Sequence, residues 1–273
     1  MNVARRSLIL KMEPGDLPGH LQFNDFYNIP GELGDRLRHL LQTRTLVYGS
    51  KGKLKPVLRG YDSVNPWWYA KVFTDRDCVK LKDLYFEHFG IIPSRCLRCW
   101  KTVVVTNPNP EKQKVSALFK LRDILHKTGF PCKCGVDVRK YTPNRYSGFI
   151  YGDSLEQAFN YRAIIERCVR RYFPRATANV KRGCTEFEDK FTNPDEWDKL
   201  SFRPTEDYLE AIIETYDVPS IEGFQAHQAT ETFRFWIEYA HGIGDLSWRE
   251  ALKSQGYEPP ESLFHKPKFY YEE

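Results

Sequence analysis

Cys96-Leu97-Arg98-Cys99-Trp100-Lys101-Thr102-Val103-Val104-Val105-Thr106 opens the part of the chain from which its architecture is read. Residues 102–106 are β-branched, which favours a strand, and Asn107-Pro108-Asn109-Pro110 ends it. Val115, Leu118, Phe119, Leu121, Ile124 and Leu125 then recur at helical spacing up to Gly129. Cys134-Gly135-Val136-Asp137-Val138-Arg139 reads as a second strand, Thr142-Pro143-Asn144-Arg145 as a turn, and Ser147-Gly148-Phe149-Ile150-Tyr151 as a third strand. Asp153 or Ser154 caps a second helix that carries Leu155, Ala158, Tyr161, Ile164, Ile165, Cys168 and Tyr172 and stops at Pro174. Residues 176–181 form the last strand. The order strand, helix, strand, strand, helix, strand is the split βαβ pattern, so the expected fold is α+β with a central ferredoxin-like (βαββαβ) unit and strand order 4-1-3-2.

On either side the pattern changes. Residues 1–90 read as a mixed α/β region expected to pack on the sheet. Leu33, Leu37, Leu40 and Leu41 follow Pro30-Gly31 at helical spacing, residues 45–48 are a strand, Trp67-Trp68-Tyr69-Ala70-Lys71-Val72-Phe73 is an aromatic strand, and residues 77–89 are a helix. The central unit is assigned to residues 91–188. Residues 189–273 form an acidic helical region, in which Leu209, Ile212 and Ile213 make one apolar face and Phe233, Trp236, Ile237 and Ala240 another.

The net charge of +5 hides a partition along the chain. The three regions ending at residues 90, 184 and 273 carry +4, +13 and −12. A basic middle followed by an acidic end suits polyanion binding, and equally suits two parts of one chain that dock on each other. No run approaches the roughly 18 apolar residues that span a bilayer. Lys11, Glu13 and Asp16 interrupt the apolar run near the N-terminus, and no cleavage site follows. The expectation is therefore a soluble, cytoplasmic protein, in which clustered cysteines are metal ligands rather than disulfides.

In the split βαβ topology the starts of the first two strands and the end of the fourth share one sheet edge. That would gather Cys96, Cys99, Cys132, Cys134 and Cys184. The expected ligand set is Cys96, Cys99, Cys134 and Cys184, with Cys132 as the alternative or spare because Pro131 fixes its backbone. Short Cys-x2-Cys loops serve zinc and iron–sulfur sites alike, so the cofactor is read as a zinc ion or a [4Fe-4S] cluster. Cys78 and Cys168 are read as small apolar residues.

Arg98, Lys133, Arg167, Arg170, Arg171, Lys181 and Arg182 form the candidate surface for nucleic acid or another polyanion. Phe149 and Tyr151, alternating along the third strand, are candidate base-stacking residues. The chain lacks His-Glu-x-x-His and the dinucleotide glycine fingerprint. It also lacks the first-strand carboxylates of a polymerase palm, and whether it is an enzyme is left open. The reading is an intracellular cysteine-ligated metalloprotein (zinc or [4Fe-4S]) whose basic central unit binds nucleic acid or another polyanion. The alternatives are an iron–sulfur redox or radical-type enzyme, and a subunit of a larger assembly, contacted through the acidic region, in which the metal is a staple.

Overall fold

The computed structural model describes residues 29, 31–49, 53–57, 66–71, 84–139, 142–200, 202–214 and 226–261. Leu33, Leu37 and Leu40 lie on the buried face of helix α1 (Gly31–Gln42). Two short strands follow, β1 (Leu46–Tyr48) and β2 (Leu54–Pro56), paired antiparallel. The aromatic run forms β3 (Trp67–Lys71), and its expected continuation to Phe73 lies outside the described residues, as do Cys78 and the start of the helix expected over 77–89. Helical residues 84–86 lead into α2 (Glu87–Phe89), and a single turn, α3 (Ser94–Leu97), precedes β4 (Trp100–Val105).

The middle of the chain continues through α4 (Val115–Thr128), β5 (Cys132–Val136), β6 (Tyr146–Gly152), α5 (Leu155–Arg170) and β7 (Thr177–Arg182). The Ser154 side chain caps α5 by accepting the Gln157 backbone N–H at 3.1 Å. The acidic end supplies α6 (Thr185–Phe191), α7 (Arg203–Ile212), α8 (Ala226–Gly242) and α9 (Trp248–Ser254). The molecule is an α+β structure.

Five strands form one antiparallel sheet in the order β3-β5-β6-β4-β7. Strand alternation sends Cys132, Cys134, Ile150 and Val104 to the face covered by α4 and α5. Cys99, Val103, Phe149 and Tyr151 cluster together with Trp67 from β3. Helices α8 and α9 pack on α4, so the first core consists of sheet, helix pair and C-terminal helices. A second core joins α1, β1, β2 and residues 84–92 to Phe187, Trp197 and α7. An early and a late part of the chain meet there, where Leu54 bridges to Ile213 and its carbonyl accepts the Glu214 backbone N–H at 2.8 Å.

Candidate functional site

The structure separates the five clustered cysteines by face. Cys132 and Cys134 point into the hydrocarbon between sheet and helices, 1 % and 0 % exposed. Burial pushes the Cys132 thiol up to about 12, and burial with the neighbouring Cys132 pushes Cys134 well above the ordinary thiol range. Both shifts oppose thiolate formation, and for Cys132 they run against the role of a low-pKa nucleophile. Cys96, Cys99 and Cys184 lie at the other expected place, the start of β4 and the end of β7. There the Cys99 N–H donates to the Cys96 carbonyl at 3.2 Å, and the Gly183 N–H donates to the Cys99 carbonyl at 2.7 Å. The four-cysteine set is thus not assembled. Among the described residues, no three His, Cys, Asp or Glu side chains form a group that could hold a metal ion. The shared edge set strand ends side by side, while the two-residue alternation of β5 turned its thiols away.

Around Cys184 the chemistry is specific. Gly183 has φ +59°, a turn that favours glycine, and a Cβ there would meet the Trp197 ring at 2.6 Å. This turn returns Cys184 to the sheet edge, where the Lys101 ammonium donates to its Sγ at 3.0 Å. Lys101 is 8 % exposed and also lies 5.4 Å from the centroid of the Tyr151 ring. Burial alone would push its pKa down, but the sulfurs of Cys184 and Cys99 and the Tyr151 phenol outweigh it and hold the ammonium well above the ordinary lysine range. Among the described residues no carboxylate pairs with Lys101; its polar neighbours are the sulfurs of Cys184 and Cys99 and the Tyr151 phenol.

The basic residues divide into two sets. Arg182 bonds Asp198 at 2.7 Å and the carbonyls of Leu97 and Pro194, and its hydrogen bonds hold the Asp198 carboxyl below the usual carboxylate range. Lys181 bonds Glu188 at 2.8 Å, Arg170 bonds Glu166 at 2.6 Å, and Arg139 joins Asp137 to Glu186. These are ion pairs within the protein. Arg98, Arg167 and Arg171 are exposed, as is Arg175 beyond the helix, and none of the four is paired with a carboxylate among the described residues. Lys133 stands over Trp67 at 4.3 Å, with Tyr69 and Phe149 each at 5.7 Å. Phe149 and Tyr151 do share a face, but they are 8 % and 9 % exposed, and Phe149 packs edge-on against Trp67 at 5.4 Å.

One feature lies outside the residues singled out from sequence. At the opposite end of β4 from the cysteines is a cavity of about 350 Å3 between the start of α4 and the residues after α5. Lys112, Lys114 and Lys120 line it. Its sequence signal is Lys112-x-Lys114 just before a helix start with Lys120 on that helix.

Compared with protein families, curated proteins and solved structures, the chain matches none.

Proposed function

We propose that this chain binds nucleic acid through the outer side of α5, on a ferredoxin-like unit formed by β4, α4, β5, β6, α5 and β7. The antiparallel order β7-β4-β6-β5, with a helix crossing over from β4 to β5 and another from β6 to β7, supports the ferredoxin-like reading. The observation that carries the function is the division of the basic residues. The carboxylates after residue 184 take up Arg182, Lys181 and Arg139, whereas Arg167, Arg171 and Arg175 stay exposed without carboxylate partners among the described residues. Self-docking accounts for one side of the basic unit and leaves the other available to phosphates.

Fluorescence anisotropy with a single-stranded oligonucleotide tests this across a salt series. Affinity should fall steeply with salt. R167E/R171E/R175E should abolish most binding and flatten the slope of log K against log salt by about 2, since each single-strand phosphate contact contributes about 0.7. Salt-independent binding, or an unaffected triple variant, rules the reading out.

A second reading rests on the buried Lys101. An ammonium held by Cys184 and lacking a carboxylate partner among the described residues suits a charged sulfur at Cys184, either as a free thiolate or, with ligands beyond the side chains grouped in this structure, as one ligand of a zinc or [4Fe-4S] centre. Elemental analysis of anaerobically prepared protein separates these. Stoichiometric zinc or iron that is lost on Cys184→Ala supports the metal, and its absence leaves the thiolate–ammonium pair.

A further inference from the structure

We infer that the cavity between the start of α4 and the residues after α5 is a nucleotide site that grips a phosphate. Lys112, Lys114 and Lys120 line it, no carboxylate is among its lining residues, and none of the three lysines has an ion-pair partner among the described residues. Three lysines lining one opening with no carboxylate among the lining residues concentrate positive charge there, and an anion in the cavity would be attracted by it. The arrangement contrasts with Lys181 and Arg182, whose charges are met inside the molecule.

The donors that remain are side chains. At the α4 terminus the Val115 N–H is taken by Asp245 at 2.7 Å and the Ser116 N–H by the Ser247 hydroxyl at 3.2 Å. The Ser116 hydroxyl donates to Glu250 at 3.1 Å, which places one carboxylate near the rim. The phosphate is therefore assigned to the lysines, not to the helix end.

Size and aromatic walls extend the assignment from phosphate to nucleotide. A volume of about 350 Å3 falls at the lower end of the range for small-molecule sites, roughly 300–1,000 Å3. Tyr172 and Phe173 also line the space, and Tyr172 is 56 % exposed, with Lys120 standing 4.4 Å from its ring centroid. An open aromatic ring beside several cations is the combination that binds a base and its phosphate together. Arg171 and Arg175 flank Tyr172 in sequence, so the site extends the surface proposed above and, as the seat of a strand terminus, rests on that reading. The same chemistry would accept a free nucleoside monophosphate.

Calorimetry of the full chain with AMP and with adenosine tests the site, together with anisotropy of 5′-phosphorylated and 5′-hydroxyl oligonucleotides. AMP should bind and adenosine should not. K114E/K120E should weaken AMP at least tenfold, and Tyr172→Ala should weaken it less. A 5′-phosphate preference that K114E/K120E removes identifies a strand end. AMP binding without that preference identifies a free nucleotide as the ligand. If AMP fails to bind and the 5′-phosphate gives no advantage, the site is wrong even where oligonucleotide binding persists. If AMP binds while oligonucleotides do not, the site stands and the nucleic-acid reading falls.

Discussion

Asp245 accepts the backbone N–H of Val115 at 2.7 Å, so a carboxylate of the acidic C-terminal region caps the first helix of the basic unit. The same oxygen accepts the Tyr146 hydroxyl at 2.9 Å, and the other carboxylate oxygen accepts the Ser247 N–H and hydroxyl. Asp245→Ala strands these donors in a largely buried setting. It should cost about 2–4 kcal/mol, with Asp245→Asn recovering part of the loss, as read by urea denaturation. A cost below about 0.5 kcal/mol would show that water replaces the carboxylate freely.

Gln113 provides a second, independent test of how the sheet is held. It is 3 % exposed, its oxygen accepts the Arg145 and Tyr146 backbone N–H groups, and its amide donates to Asn107 and Asn144. Gln113→Ala should destabilise by about 2–4 kcal/mol, whereas Gln113→Glu, which keeps the acceptor and loses the donor, should fall between the two as pH rises. Equal stability of the alanine variant and the parent would contradict this network.

The thiols should sort by face under alkylation. At pH 8 the folded protein should protect Cys132 and Cys134 from iodoacetamide, while the half-buried Cys96, Cys168 and Cys184 react before them. In denaturant all should react alike. Peptide mapping that finds Cys132 modified early would refute the placement of β5.

Glu206 yields a pH signature. It is buried and accepts the backbone N–H of Ser94 at 3.0 Å and its hydroxyl at 3.1 Å, yet burial outweighs these bonds and raises its pKa. A carboxyl whose folded pKa lies above its unfolded one contributes stability that is full below the unfolded value and is lost as pH rises through the folded value. The stability of Glu206→Gln relative to the parent should therefore improve as pH climbs out of the ordinary glutamate range, and thermal melts across that interval check the sign. A flat difference would remove Glu206 as the cause.

Much of the scaffold was legible because its signals are local. The run ending at Val105, the helical spacing from Val115 and the Ser154 cap each depend on neighbouring residues, and the elements fall within a few positions of their expected limits. β5 begins at Cys132, two residues before the expected strand start at Cys134. Both thiols therefore lie within the strand, and alternation sends the pair to the helix-covered face. The chain alone also left two partners for the basic residues. Arg182 with Asp198 and Arg139 with Glu186 are 16 and 47 residues apart, so these pairs, like the question of which arginines remain unpaired, depend on three-dimensional placement. The lysine cavity was hidden for the same reason, since Tyr172 reaches Lys120 across the gap between two helices.

The carbonyl of Pro66 accepts both the Val136 N–H at 3.2 Å and the Trp236 indole N–H at 2.8 Å, and a Cβ on Gly135 would lie 2.1 Å from it. A single oxygen is thus the knot tying an early strand, a middle strand and a late helix. Damage to any one of the three threads loosens the other two, so defects at positions 66, 135 and 236 should resemble one another although more than a hundred residues separate the last pair.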